Sequence, residues 1–237
     1  MRSLESVDST NSYIKRALEG EESLELPLVV TAVSQTAGRG RLGRDFYSPS
    51  GGLYFSVAFL SSQIKCPIDL LTVGAGAAVA LSIESKCGGK TEVKWVNDVL
   101  YCGKKVCGIL CESVRSERCG EAVYIVGIGV NTSKAALGGF MPEKVGALTL
   151  DCTNFELMNE ILDRIGAIFY SGDTDFLSDY NERLGMRGKT VDILVRGNKS
   201  SATVVGVELG GLKCCTDSGE SVFVRTYDEI LSDLYGV

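Results

Sequence analysis

Apolar residues recur along this chain with two periods, and the alternation between them outlines its elements. At the start, Asp8-Ser9-Thr10-Asn11 gathers residues whose short polar side chains cap helices. Tyr13, Ile14, Ala17 and Leu18 follow at helical spacing, so a short helix is predicted over 10–20. Apolar runs predict strands at 28–34 and 53–60. Asp69 is expected to cap a helix reaching to about residue 86, whose Ala and Gly content suits close packing against a sheet. Three further strands are expected at 92–100, 105–114 and 122–130, the first two joined by a tight turn at Tyr101-Cys102-Gly103-Lys104. A Gly-rich loop at 137–146 closes this section, and helical periodicity returns at 155–170 and 174–184.

The tail follows a different rule. Short strands at 189–196, 200–208, 211–216 and 221–225, separated by glycine-containing turns, predict a small barrel of roughly fifty residues. The change of pattern divides the chain into 1–184 and 185–237.

Composition narrows the class. The 237 residues can bury one sizeable core, or a large domain and a small one. Hydrophobic residues at 45% and charged residues at 23% are ordinary for a soluble globular protein. A net charge of −6 argues against a general nucleic-acid coat. The first residues lack the apolar stretch of a leader peptide, and the weakly polar run 73–83 is too short to cross a bilayer. Nine cysteines in that setting imply reduced thiols and a cytoplasmic location, with Cys107 and Cys111 sharing one face of a strand as core packing. The chain has no histidine, which excludes Ser-His-Asp and Cys-His catalysis.

Four segments carry candidate chemistry. Gly38 to Arg44 reads Gly-Arg-Gly-Arg-Leu-Gly-Arg, three guanidinium groups on a glycine-hinged backbone at the exit of a strand. Glycine permits close approach to a ligand and arginine offers a planar fork of donors, so the segment is expected to be a mobile clamp that orders on a polyanion. Ser9-Thr10-Asn11-Ser12 caps a helix and could also hold a small polar group. Lys94-Trp95-Val96-Asn97-Asp98, with Lys104-Lys105 and Gly108 downstream, places cations and a carboxylate near the single tryptophan. This mix suits a phosphate with a metal ion, against the plain reading of a solvated hairpin with Trp95 in the core. Val126 to Asn131 sets Gly127 and Gly129 in an apolar strand, without the spacing of a dinucleotide fingerprint.

In this order and combination the four segments resemble the biotin–protein ligase family. The resemblance runs from Val7 to the tail, and the GRGRLGR segment is its most specific part. It implies an α+β fold, a mixed sheet with helices like that of class II aminoacyl-tRNA synthetases, followed by an SH3-like barrel. It further implies that the catalytic part is 1–184. Ser9, Thr10, Gln35, Gly38 and the backbone of Arg39 would meet the ureido group of biotin. Tyr54, Gly108, Gly127 and Gly129 would line the walls of its pocket. Arg39, Arg41 and Arg44 would order over the phosphates of ATP, with Phe46 near adenine where many relatives carry tryptophan. Trp95, Asn97 and Asn131 would complete the nucleotide site. Lys105 would bridge the biotin carboxylate and the α-phosphate, and Asp98 would lie near Mg²⁺ or the acceptor lysine. Val96 stands where the usual motif has proline.

The implied chemistry is activation of biotin as biotinyl-5′-AMP, then transfer to a lysine of a biotin carboxyl carrier domain. No membrane partner is expected, since the longest apolar run is short, and no DNA partner, since Ser9-Thr10-Asn11 stands close to the first residue and leaves no room for a repressor domain ahead of it. A homodimer is left open. The rival within the same chemistry is a lipoate–protein ligase, whose usual signature includes the histidine this chain lacks. A rival of another class is an RNA-binding module built on the Gly/Arg loop, disfavoured by the acidic total.

Overall fold

The computed structural model describes residues 1–20, 24–137, 143–226 and 228–231. Residues 138–142, half of the glycine-rich loop expected at 137–146, lie outside those residues. The elements, in chain order, are β1 (Arg2–Val7), α1 (Thr10–Gly20), β2 (Leu28–Gln35), β3 (Leu53–Leu60), α2 (Leu71–Cys87), β4 (Thr91–Lys94), β5 (Asp98–Tyr101), β6 (Lys104–Ser116), β7 (Glu121–Val130), α3 (Asn154–Ser171), α4 (Phe176–Arg183), β8 (Thr190–Val195), β9 (Asn198–Glu208), β10 (Gly211–Thr216), β11 (Ser221–Val224) and β12 (Glu229–Ile230).

Strands β1 to β7 form a mixed sheet in the order β1-β2-β3-β7-β6-β5-β4. Only the β1–β2 pair is parallel. One face buries Phe55, Val57, Val126, Ile128 and Val130 beneath α2, α3 and α4. The other carries a smaller apolar cluster where Ile14 and Leu18 of α1 cover Val30, Ala58 and Ile125. Since α1 is only 11 residues long, it roofs part of that face and leaves the rest to the loops.

The predicted strand 92–100 is two strands. Its centre, Trp95-Val96-Asn97, turns the chain back, so β4 and β5 pair antiparallel with Lys94 opposite Asp98. The Trp95–Val96 peptide is cis. At the next turn Cys102 and Gly103 both take positive φ, the tight hairpin that the sequence predicts. Asp69 does not cap α2. It sits in a 3-10 turn, Ile68–Leu70, and the helix begins after Leu70 with no side-chain cap. The glycines of α2 serve helix packing rather than the sheet, since a Cβ at Gly74 or Gly76 would lie 3.0 Å from Ile168 or Tyr180 respectively. Residues 68–87 form one stretch long and apolar enough by composition to cross a membrane, but 67% of its apolar window is buried in this fold.

The tail forms a five-stranded antiparallel sheet in the order β11-β10-β9-β8-β12. The expected closed barrel is not formed. Among the described residues no ladder joins the edge strands β11 and β12, so the sheet is open. Its apolar face, with Val191, Ile193, Val204 and Leu212, is continuous with the main core. Asn181 ties α4 to the tail sheet, donating to Val207 O at 2.9 Å and accepting from Val207 N at 2.7 Å.

Candidate active site

On the face that α1 only partly covers, the middle of the sheet is bare of side chains. Tyr54, Gly129, Gly108 and Asp98 stand opposite one another on β3, β7, β6 and β5, and Ser56, Gly127 and Leu110 form the next row. Three of these positions are glycine, so the sheet presents a flat floor. Above it opens a cavity of about 820 Å³.

Most of the residues singled out in the sequence line it. Ser9, Thr10 and Gln35 stand at one end; Arg39, Arg41, Arg44 and Phe46 come from the Gly/Arg segment; Trp95, Asn97, Asp98 and Lys105 come from the hairpin side; Gly108, Gly127 and Gly129 supply the floor. Gly38, Tyr54 and Asn131 stand behind the lining. Gly38 is pressed against the Phe46 carbonyl, which leaves no room for a Cβ. Tyr54 is buried, donates to Pro49 O at 2.9 Å and meets the Phe46 ring edge-on at 6.5 Å, and burial raises the pKa of its phenol. Asn131 is also buried and donates to Gly146 O at 3.0 Å, which fastens the chain next to Lys105.

The Gly/Arg segment, expected to be a clamp on a polyanion, takes a defined hairpin form here. The backbones of Arg39 and Asp45 stand opposite one another, with Gly40 N donating to Arg44 O at 2.7 Å and Phe46 N donating to Gly38 O at 2.9 Å, which makes a narrow hairpin. Leu42 and Gly43 both take positive φ and turn its tip. The hairpin lies across the cavity because both of its sides are anchored. Arg41 Nη2 donates to Thr226 O of the tail at 2.6 Å, and the Phe46 ring rests on the floor, where it would collide with a Cβ at Gly129 and meet one at Gly108 at 2.9 Å. Phe46, expected beside adenine, therefore occupies the space that Gly108 and Gly129 leave open. Burial lowers the pKa of Arg41, and Arg44 adds to this while Asp98 opposes it. A guanidinium remains charged through such a shift.

Lys105 owes its place to an irregularity that no composition signals. Cys107 pairs with Val99 but Lys105 pairs with Leu100, so Val106 is an extra residue in β6. This bulge turns Lys105 onto the same face as Gly108 and Asp98. Its Nζ then lies 2.8 Å from Asp98 Oδ1, a carboxylate oxygen cut off from solvent.

At the opposite end a chain of polar contacts links α1 to the Gly/Arg hairpin. Asn11 Nδ2 donates to Glu112 Oε2 at 2.8 Å, and Ser56 Oγ lies 2.6 Å from both Asn11 Oδ1 and Thr10 Oγ1. Gln35 Oε1 accepts from Thr10 N at 2.9 Å, Gln35 Nε2 donates to Ser48 Oγ at 2.9 Å, and Ser48 Oγ donates to Phe46 O at 2.8 Å. Asn11 and Lys94, members of the capping and Trp95 segments, also line the cavity, and Glu112 and Leu110 do so without having been expected there from the sequence, as do Met186, Thr226, Asp228, Ile230 and Leu231 from the tail. Glu112 was accessible to period-two counting from Gly108; the tail residues were not, since no local pattern brings the second sheet to this cavity.

A sheet stripped to glycine, roofed by clustered arginines and edged by a paired lysine, defines a site for an anionic, flat ligand. The chain belongs to the biotin/lipoate A/B protein ligase family, whose pattern matches residues 3–131. It is 31% identical over 243 residues to a biotin–[acetyl-CoA-carboxylase] ligase of Mycobacterium tuberculosis, covering 94% of this chain and 85% of that one. It is 34% identical over 141 residues to the bifunctional ligase/repressor BirA of Bacillus spizizenii, and that match spans 59% of this chain and 42% of the relative's length. Its fold is similar to that of the biotin protein ligase of Aquifex aeolicus in complex with biotin and ATP, with a TM-score of 0.77 and 26% identity over 96% of this chain and 97% of the other.

Proposed function

We propose that this chain activates biotin with ATP as biotinyl-5′-AMP and passes the biotinyl group to a lysine of a carboxylase carrier domain. The observation that carries this reading is that the GRGRLGR hairpin and Lys105 share one glycine-floored cavity. The names of its relatives, biotin–[acetyl-CoA-carboxylase] ligase among them, support it.

In the first step a biotin carboxylate oxygen bonds to the α-phosphorus of ATP and pyrophosphate leaves. Negative charge on the phosphoryl oxygens is met by Arg39, Arg41 and Arg44 from above and by Lys105 from the side. Asp98 holds the Lys105 ammonium in position until the ligand's own oxygens compete for it. In the second step the neutral amine of the carrier lysine attacks the mixed anhydride carbonyl and AMP leaves. The arginine hairpin keeps water from the anhydride between steps. No protein nucleophile is needed, in agreement with a chain that has no histidine.

Mg²⁺ belongs to this reading as a companion of the ATP phosphates. Asp98, the residue offered for it, already faces an ammonium at 2.8 Å, and among the described residues no three Cys, Asp or Glu gather to hold an ion. The residues therefore do not fit a resident metal, and no step is routed through one. Residues 1–184 form the catalytic part in this reading. The part 185–237 is the second unit in this reading, its sheet of β8 to β12 SH3-like but open, and its segment around Thr226, Asp228, Ile230 and Leu231 closes one wall of the site.

Incubation with ATP, Mg²⁺ and labelled biotin should leave labelled adenylate on the protein, and hydroxylamine should release the acid as its hydroxamate. Hydroxamate from lipoate but not from biotin moves the assignment to the other branch of the family. Turnover of neither acid refutes the ligase reading.

A further inference from the structure

The floor of the cavity ends at a carboxylate to which the adenylation chemistry above gives no role. Glu112 lies on β6, two positions beyond Leu110 and four beyond Gly108, on the face that lines the cavity. One of its oxygens accepts from Lys15 Nζ at 2.6 Å and the other from Asn11 Nδ2 at 2.8 Å. The Asn11 carboxamide packs over Gly127, where a Cβ would collide with its oxygen.

An ionised carboxylate can only accept hydrogen bonds. Asn11 must therefore turn its NH₂ toward Glu112 and Leu110 O, and its oxygen toward Ser56. The flipped amide would set an acceptor against an acceptor. At the far end the backbone N–H of Thr10 can only donate, which fixes the Gln35 amide in the same way. Between these two acceptors the Ser56 and Thr10 hydroxyls are only 2.6 Å apart, and Thr10 Oγ1 also lies 3.2 Å from Gln35 Oε1, so the Asn11 oxygen gives the Ser56 proton a place to go.

Resting on the biotin reading above, we propose that Glu112 is a positioning residue for the acid substrate. It fixes the Asn11 carboxamide with its oxygen toward Ser56, an acceptor that orients the Ser56 hydroxyl beside Thr10 and Gln35, the groups that meet the substrate's ring. A cyclic urea, with two donors and one acceptor, needs such a fixed set of complements; an apolar dithiolane ring does not.

Glu112→Leu should raise KM for biotin about tenfold, with kcat and KM for ATP within about twofold of wild type. Asn11→Asp should do the same, by setting two carboxylates face to face. The double variant Asn11→Asp/Glu112→Gln restores the polarity in reverse chemistry. Its new carboxamide at position 112 can donate to the new carboxylate at position 11, which still accepts from Ser56. It should recover KM for biotin to within about threefold of wild type. Lys15→Met, which breaks the ion pair and spares the amide, should stay within about twofold.

A wild-type KM in Glu112→Leu overturns the proposal, as does a double variant no better than Asn11→Asp alone. A Lys15→Met defect equal to that of Glu112→Leu overturns it too, because the ion pair alone would then matter. If Glu112→Leu does not fold, the polarity swap decides. Failure of the biotin reading itself looks different, since the wild type then turns over no biotin. In that event the positioning role is decided by NMR of the Asn11 side-chain amide, whose protons should exchange slowly in wild type and faster in Glu112→Leu. Equal rates overturn it.

Discussion

On one face of β7, Val126, Ile128 and Val130 pack under α2 and α3; on the other, Gly127 and Gly129 leave the backbone bare for Asn11 and Phe46 to lie upon. The same strand thus follows two rules at alternate residues. The first face is filled with apolar side chains, where each buried group adds to stability. The second gives up that burial, since glycine in a strand costs roughly 0.5–1 kcal/mol relative to alanine. What it gains is a surface that a flat ligand and a set of polar groups can reach. Substitutions on the two faces should therefore fail in different measurements.

The largest effect is expected on the apolar face. Phe55 is fully buried there, and Phe55→Ala should cost about 3–5 kcal/mol in denaturant unfolding, with ligand affinity unchanged in the protein that remains folded. Lys105→Ala comes next and reverses the pattern: adenylate formation should fall about 10²–10³-fold while the melting temperature holds. Near-normal pyrophosphate release by that variant would falsify the role of Lys105. Gly129→Val puts a side chain where the Phe46 ring now rests and should weaken binding of the acid on the order of tenfold. Because valine suits a strand, its melting temperature should change little; a melting shift matching that of Phe55→Ala would show that the two faces do not differ as described.

Arg41→Ala should let the adenylate leak about tenfold faster, read by filter retention of the labelled intermediate. An unchanged leakage rate removes Arg41 from the clamp. The smallest effect concerns the rim of the apolar face, where Glu160 joins α3 to α2. Burial opposes its charge, but Ser85, Arg164 and Lys86 outweigh that and bring its carboxyl to about 2. A carboxyl depressed on folding contributes stability that is present above its unfolded value near 4.5 and lost as pH falls toward 2. The melting temperature of wild type should drop more steeply between about pH 5 and pH 2.5 than that of Glu160→Gln, and parallel curves would remove Glu160 from that loss.

Much of this was legible from local pattern. The helix at 10–20, the strand at 53–60 and the hairpin turn at Cys102-Gly103 have the limits that periodicity and turn chemistry predict, because each is specified by residues adjacent in the chain. The strand β1 was not legible: Arg2–Val7 received no element from its pattern and is a strand through its pairing with β2. The split of 92–100 into β4 and β5 escapes periodicity for a related reason, since Trp95 and Val96 look like strand interior and yet form the turn.

The amino-acid order by itself determined which residues would be needed: arginines on glycine hinges, a capped polar helix start, a lysine near an aspartate and glycines at alternate positions of a strand. These are local facts, set by side-chain chemistry and by the two-residue repeat of an extended chain. Only the tertiary structure decided how they meet. The bulge at Val106 turns Lys105 toward Asp98, the tail reaches back to hold Arg41 through Thr226 O, and Glu112 sets the Asn11 amide across the sheet. Each of these depends on register and packing, and the last two join residues far apart in the chain, quantities that no window of neighbouring residues contains.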